Sequence, residues 1–347
     1  MAPEAGEDTA MAKARLQTAL RSFQSSGRPF QLIQPHAPAP VPASTASTAT
    51  TSRKCRTLVV LDSSFNPPTL AHLHMATSAV QDLRAQQNIA ARARPVRGGS
   101  GGQETHDLAT DVRLLLLLAV NNADKAPKPA TFEERLLMME AFARDIQKAH
   151  DSSNEAKLQL PVDIGLTTHP YFHDKSAAIA ASAEYAGDDG PSSQTSTEGE
   201  GKPQTKQIFL AGYDTLIRIF TPKYYTHPPQ PDKTPMQMAL DPFFARAQLR
   251  ITMRTDDDWG GMEDQLGYIE RIMHGKELEE VGGRKEWARR VELVEGTSRL
   301  GGTEGAHAGV VSSTLAREAV KSKDWGRLRG LVPGEVARLI EEDAVAW

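Results

Sequence analysis

Cysteine is almost missing from this 347-residue chain, where Cys55 stands alone. A single thiol cannot form an intramolecular disulfide, so the expected setting is a reducing compartment, cytoplasm or nucleus. Long apolar runs are missing too. The longest, residues 114–120, falls far short of the roughly 20 residues that cross a bilayer. The first residues lack the apolar core of a secretory signal, and Glu4, Glu7 and Asp8 do not suit an acid-poor transit peptide. Nor is there an excess of basic charge. Forty Lys and Arg against 44 Asp and Glu leave a net charge of −4, which excludes a phosphate-coating surface for nucleic acid. These absences lead to the expectation of a soluble intracellular protein with neither membrane nor nucleic acid as a partner.

What is present is ordinary globular composition, 24% charged and 39% hydrophobic, over a length that allows one large α/β domain or two small ones. Residues 11–23 carry a weak helical pattern, with Leu16, Leu20 and Phe23 on one face. Residues 35–52 are Pro, Ala, Ser and Thr without periodicity and read as a disordered linker. The expected division is therefore a helix-prone segment and linker over 1–52 and one domain over 53–347. Two tracts, about 97–106 and 186–205, read as surface insertions. Neither the 186–205 tract nor the residues before Ser52 are expected to add to a packed core.

Within the domain, short apolar runs alternate with amphipathic segments. Strand candidates are 56–61 (RTLVVL), 113–120 (RLLLLLAV), 160–166, 207–211, 248–253 and 290–294. Helix candidates are 69–86, a segment opened by a Thr131/Glu134 capping box, 174–185, 213–220, 313–322 and 333–343. This alternation predicts an α/β fold with a doubly wound, mostly parallel, Rossmann-like sheet and a C-terminal helical segment. Ligands of such sheets bind beyond the carboxyl ends of the strands, in turns that lead into helices.

Two such turns hold suitable chemistry. The first runs Asp62-Ser63-Ser64-Phe65-Asn66-Pro67-Pro68-Thr69-Leu70-Ala71-His72. Its prolines stiffen the bend. Thr69 and His72, three apart, share a face of the first helical turn, where the helix dipole favours an anion. The last runs Val311-Ser312-Ser313-Thr314-Leu315-Ala316-Arg317. Ser312 or Ser313 can cap the helix, and Arg317 returns to the face of Ser313 one turn on, where hydroxyls, amides and a guanidinium would converge on a polyphosphate. Each turn taken alone is also what an ordinary capped junction looks like; the pair is not.

As a pair, S-F-N-P-x-T-x-x-H and V-S-S-T-x-x-R resemble the signatures of the nucleotidyltransferase superfamily. They are most similar to the eukaryotic nicotinamide-mononucleotide adenylyltransferases, in a divergent, fungal-like branch. The resemblance extends to Asn121–Lys125 followed by Arg135, to Leu210-Ala211-Gly212-Tyr213-Asp214, to Thr252-Met253-Arg254 and to the closing Leu331-Val332-Pro333. It implies transfer of AMP from Mg-ATP to nicotinamide mononucleotide, giving NAD and pyrophosphate. In that scheme His72 bonds the α-phosphate, and Thr69 with the amides of Ser63, Ser64 and Phe65 holds the reacting phosphates. Lys125 and Arg317 neutralise the β- and γ-phosphates, with Ser312, Ser313 and Thr314 as donors. Gly212 admits a ribose, Asp214 grips its hydroxyls, and Arg254 ends its strand nearby. Mg²⁺ rides on the phosphates, so no protein metal cage is expected.

The chain departs from the family at Ser63, where a glycine is usual, at Ala316, where Ile or Val is usual, and at 167–172. There Thr167-Thr168-His169-Pro170-Tyr171-Phe172 replaces a Trp-Glu pair, leaving Tyr171 or Phe172 to stack on a pyridine. The acceptor is accordingly open: another phosphate acceptor for AMP or CMP, an ATP hydrolase, and a silent nucleotide-binding regulator are the alternatives. Oligomerisation is open as well.

Overall fold

The computed structural model describes residues 5–35, 55–92, 112–121, 130–152, 160–185, 205–226, 228, 230–253, 261–274, 276–296, 311–342 and 345. In chain order its elements are α1 (Ala5–Ser26), β1 (Phe30–Pro35), β2 (Thr57–Asp62), α2 (Leu70–Arg92), β3 (Val112–Ala119), α3 (Phe132–Ser152), β4 (Val162–Thr167), α4 (Phe172–Ala180), β5 (Lys206–Gly212) and α5 (Tyr213–Ile219). There follow α6 (Pro235–Arg246), β6 (Ala247–Thr252), α7 (Met262–His274), α8 (Glu277–Glu280), β7 (Val291–Val294), α9 (Ser313–Lys321), α10 (Trp325–Arg329) and α11 (Gly334–Glu341).

The apolar runs become strands buried on both faces. In β2, Val59 and Leu61 join one core while Leu58 and Val60 join the other, because successive side chains alternate across the pleat. The strand order is β1-β4-β3-β2-β5-β6-β7, with only β1 antiparallel among the described strands. Helices α1, α2, α3, α9, α10 and α11 cover the first face, and α4 to α8 the second. The expected doubly wound parallel sheet with a helical C-terminal segment is what forms. Its order reverses between β2 and β5, and at such a switch point diverging connections open a crevice beyond the strand ends.

Local signals account for the helix starts. Thr131 Oγ1 accepts from the Glu134 N–H at 3.3 Å, and Glu134 Oε2 accepts from the Thr131 N–H at 2.9 Å, the reciprocal bonds of the expected capping box. Helix α11 has no side-chain cap of its own. Asp145 of α3 accepts from the N–H groups of Glu335 and Val336 at 3.0 and 3.3 Å and docks that helix start on the core. Helix α6 begins with a second capping box, Thr234 with Gln237; α6, α7, α8, α10 and β1 are not among the elements expected from the sequence.

The division at residue 52 is corrected by the structure. Helix α1 lies against α3, with Leu16, Leu20 and Phe23 at most 5% exposed inside the first core, and β1 is the edge strand of the sheet. Phe30 fits over Gly165 of β4, where an added Cβ would come within 2.9 Å of its ring. Thr167 Oγ1 and the Thr168 N–H both donate to the Pro29 carbonyl. The N-terminal segment is thus part of the domain. The tracts at 36–52, 97–106 and 186–204 lie outside the described residues.

Burial on this scale has a measurable consequence. Truncating Phe23, 1% exposed, to alanine is expected to destabilise the fold by about 3–5 kcal/mol. Chemical denaturation followed by circular dichroism measures this; an unchanged midpoint would mean that α1 is not part of the cooperative unit.

Candidate active site

The turn from β2 to α2 is held rigidly enough to aim one imidazole. Phe65 has a left-handed backbone (φ 46°), a conformation unfavourable for a bulky residue by about 1–3 kcal/mol. Its fully buried ring, packed 6.2 Å from Phe142 and 6.1 Å from the His72 ring, holds it there. The peptide bond that follows, Asn66–Pro67, is cis. The side chain of Phe65 therefore belongs to the core, and only its backbone can face a ligand.

His72 is bonded at both ring nitrogens. The Thr69 N–H donates to Nδ1 at 3.0 Å, and Thr69 Oγ1 lies 2.8 Å from the same atom. A backbone N–H can only donate, so Nδ1 is the unprotonated nitrogen and Nε2 carries the hydrogen. Nε2–H then donates to Ser63 Oγ at 2.9 Å. Burial lowers the pKa of His72 from the usual 6.5 to about 4, so the ring is a neutral hydrogen-bond donor at physiological pH.

These contacts bear on three expected roles, the first that of His72, whose remaining N–H is directed at Ser63 Oγ and so reaches a phosphate through that hydroxyl and not directly. Thr69, 1% exposed, stands behind His72 and orients it; its hydroxyl does not face the mouth of the site. The Ser63 N–H is taken by the Leu117 carbonyl of β3 at 3.3 Å, which leaves the Ser63 hydroxyl and the exposed Ser64 as the polar groups this turn presents.

The last turn closes directly on the first. Ser312 is the N-cap of α9, its Oγ accepting from the Leu315 N–H at 3.2 Å. Ser313 Oγ donates to the Pro67 carbonyl at 2.8 Å, and Arg317 Nη1 donates to the Asn66 carbonyl at 2.8 Å. Arg317 Nη2 also donates to Thr314 Oγ1 at 2.9 Å. The Ser313 proton is thus committed to the Pro67 carbonyl and not to a phosphate, whereas Ser312 accepts through its oxygen and keeps its own O–H to donate. The opening amides of α9, the Ser312 O–H, the exposed Thr314 and the remaining guanidinium donors are what the turn offers an anion. A third segment buttresses the junction where the Leu70 N–H donates to the Leu331 carbonyl at 3.0 Å.

A second guanidinium, not among the expected site residues, lies beside Arg317. Arg135, 7% exposed, donates through Nε to the Ala130 carbonyl at 3.0 Å and sits 5.1 Å over the Phe132 ring. Its pKa is lowered first by burial and then by the charge of Arg317. Its place on the helix that follows 121–125, the stretch resembling the family's phosphate-binding segment, is the signal in the sequence.

Across the switch point, Gly212 ends β5 and precedes α5, with Asp214 in the first turn. A Cβ at Gly212 would lie 2.9 Å from Asp214 Oδ1, so a side chain there would push that carboxylate aside. Beyond β4, the partly buried Phe172 packs against the second core, 5.4 Å from Phe209, whereas Tyr171 stacks on His173 at 5.6 Å and tilts toward Tyr224 at 6.5 Å. Of the two candidate stacking rings, Tyr171 is the one outside the core. Lys125 and Arg254 lie outside the described residues.

The state of His72 can be read in solution. Nitrogen-15 spectra should show a neutral ring protonated at Nε2 down to about pH 5; a midpoint near 6.5 would contradict the buried geometry. Between pH 6.5 and about 4 the unfolded chain binds a proton here that the folded chain does not. Acidification through that window therefore removes stability, and the contribution is complete above pH 6.5.

No protein-family model matches the chain. A curated relative does: the "Putative nicotinamide mononucleotide adenylyltransferase" of Schizosaccharomyces pombe is 31% identical over 284 residues, spanning 82% of this chain and 84% of the relative. Among solved structures, the nicotinic acid mononucleotide adenylyltransferase of Plasmodium falciparum complexed with NaAD matches at 13% identity and a TM-score of 0.40, over 83% of this chain and 96% of that one. TmcAL of Thermotoga maritima bound with alpha-thio ATP matches at 14% identity and a TM-score of 0.33, over 83% of this chain and 57% of that one. Neither structural likeness transfers chemistry. The identity and coverage shared with the yeast relative do establish kinship, and the chain belongs to the nicotinamide mononucleotide adenylyltransferase family.

Proposed function

We propose that the chain transfers the adenylyl group of Mg-ATP to the 5′-phosphate of nicotinamide mononucleotide, giving NAD and pyrophosphate. The observation that carries this reading is the direct bonding of the two distant turns. Ser313 to Pro67 and Arg317 to Asn66 bring a neutral imidazole and a guanidinium to one edge of the sheet. An acceptor-phosphate oxygen forms a bond to the α-phosphorus as the bond to the bridging oxygen breaks, and pyrophosphate leaves with that electron pair. The chain contributes no nucleophile to this step; it positions and neutralises.

In this reading His72 polarises the Ser63 hydroxyl, which directs its own proton at the phosphate. Arg317 and Arg135 balance the negative charge of the tail, joined by Lys125. Asp214 takes the ribose hydroxyls beside Gly212, and Tyr171 offers a stacking face to the acceptor base. The metal enters as part of the substrate, Mg-ATP.

His72→Ala is expected to lower turnover about 10²–10³-fold with a much smaller change in ATP binding. Arg317→Ala should weaken ATP by about 1.5–3 kcal/mol while leaving nicotinamide mononucleotide nearly unaffected, and Arg317→Lys should recover part of that loss. The assay is incubation with Mg-ATP and a panel of phosphate acceptors, following dinucleotide and pyrophosphate together. ADP and inorganic phosphate as the products would contradict adenylyl transfer, and a different best acceptor would reassign the Tyr171 side of the site.

A further inference from the structure

Strand β2 ends on a carboxylate directly before the catalytic turn. Asp62 immediately precedes Ser63, and alternation along the strand turns its side chain to the second face, under α4. There Lys175 Nζ meets Asp62 Oδ2 at 2.5 Å, with side chains 5% and 9% exposed. The ammonium also lies 5.4 Å over the Phe172 ring, which in turn packs on Phe209. The ammonium is thus held between the carboxylate and an aromatic face.

Its location makes its charge matter. Asp214 already puts one carboxylate at this edge, across the switch point in the first turn of α5. An uncompensated Asp62 would add a second, one residue from the hydroxyl bonded to His72. Like charge in a partly desolvated crevice acts at long range, because little water screens it. A polyphosphate would meet that repulsion on entry.

We infer that Lys175 is a positioning residue that cancels the charge of Asp62, so that the crevice accepts a polyphosphate, and that fastens α4, with Tyr171 and His173 at its start, to the catalytic turn. The inference rests on the nucleotide-binding reading above. Lys175 itself touches no substrate in this account; it acts through Asp62.

A purely structural ion pair and a compensating one differ in sign. If the pair only stabilises the fold, Lys175→Met and Asp62→Asn both weaken nucleotide binding as stability falls. With compensation the two substitutions split. Lys175→Met leaves a bare carboxylate and should weaken Mg-ATP by about tenfold. Asp62→Asn leaves a bare ammonium and should bind Mg-ATP at least as tightly as the unaltered chain. The double variant, neutral at both positions, should return to within about threefold of the unaltered value.

The measurement is calorimetric titration of the full chain with Mg-ATP, without acceptor, alongside thermal unfolding of each variant. If Lys175→Met does not fold, Asp62→Asn against the double variant makes the same comparison, and the lone ammonium must bind at least as tightly as the neutral pair. Parallel weakening in both single variants, or a double variant as weak as Lys175→Met, would overturn the compensating role and leave the nucleotide-binding reading standing. No Mg-ATP binding by the folded, unaltered chain would overturn both.

Discussion

The bonds that join the first turn of the domain to the last are what the remaining functional geometry depends on. Pro67 and Asn66 carbonyls accept from Ser313 and Arg317, and Leu70 donates to Leu331 beside them. A carbonyl in a proline-stiffened turn has few alternative partners, so these donors fix the start of α9 against the start of α2. The sheet makes the meeting possible, since parallel strands deliver their carboxyl ends to one edge. Without the clasp, His72 and Arg317 would lie on separate turns sharing only a face of the molecule.

The clasp uses up groups that a motif treats as available. Ser313 spends its proton on the Pro67 carbonyl, Ser312 accepts the Leu315 N–H, and Thr69 spends both of its donors on His72. The outcome is a small number of polar groups at the mouth, each held by others behind it. Such pre-organisation suits a reaction in which the protein has charge to meet and no covalent bond to make. The neutral, Nε2-protonated His72 follows from the same arrangement, because burial and the Thr69 N–H disfavour a second proton.

Much of the frame was legible in the sequence because it is written in local patterns. Continuous apolar runs such as RLLLLLAV mark strands covered on both faces, and Thr131 with Glu134 marks a helix start through two reciprocal bonds. The same-face placement of Thr69 and His72 follows from helical spacing. Tertiary choices were not legible. Nothing local shows that Phe30 will sit over Gly165, so the N-terminal segment reads as an appendage, although α1 and β1 complete the core and the sheet. Helix α6 carries Pro235 and Pro242, which read as breakers, although Pro235 occupies the first turn, where its missing N–H has no helical partner. Arg135 stands beside a stretch whose resemblance marks it, but that it feels the charge of Arg317 is a tertiary relation that no spacing in the sequence expresses.

One site built from both turns is the central claim, and nucleotide titration tests it most directly. Nitrogen-15 resonances of the His72 ring and of the Arg317 guanidinium should both move as Mg-ATP is added, with a single shared midpoint. Movement of one without the other, or two different midpoints, would contradict a shared site.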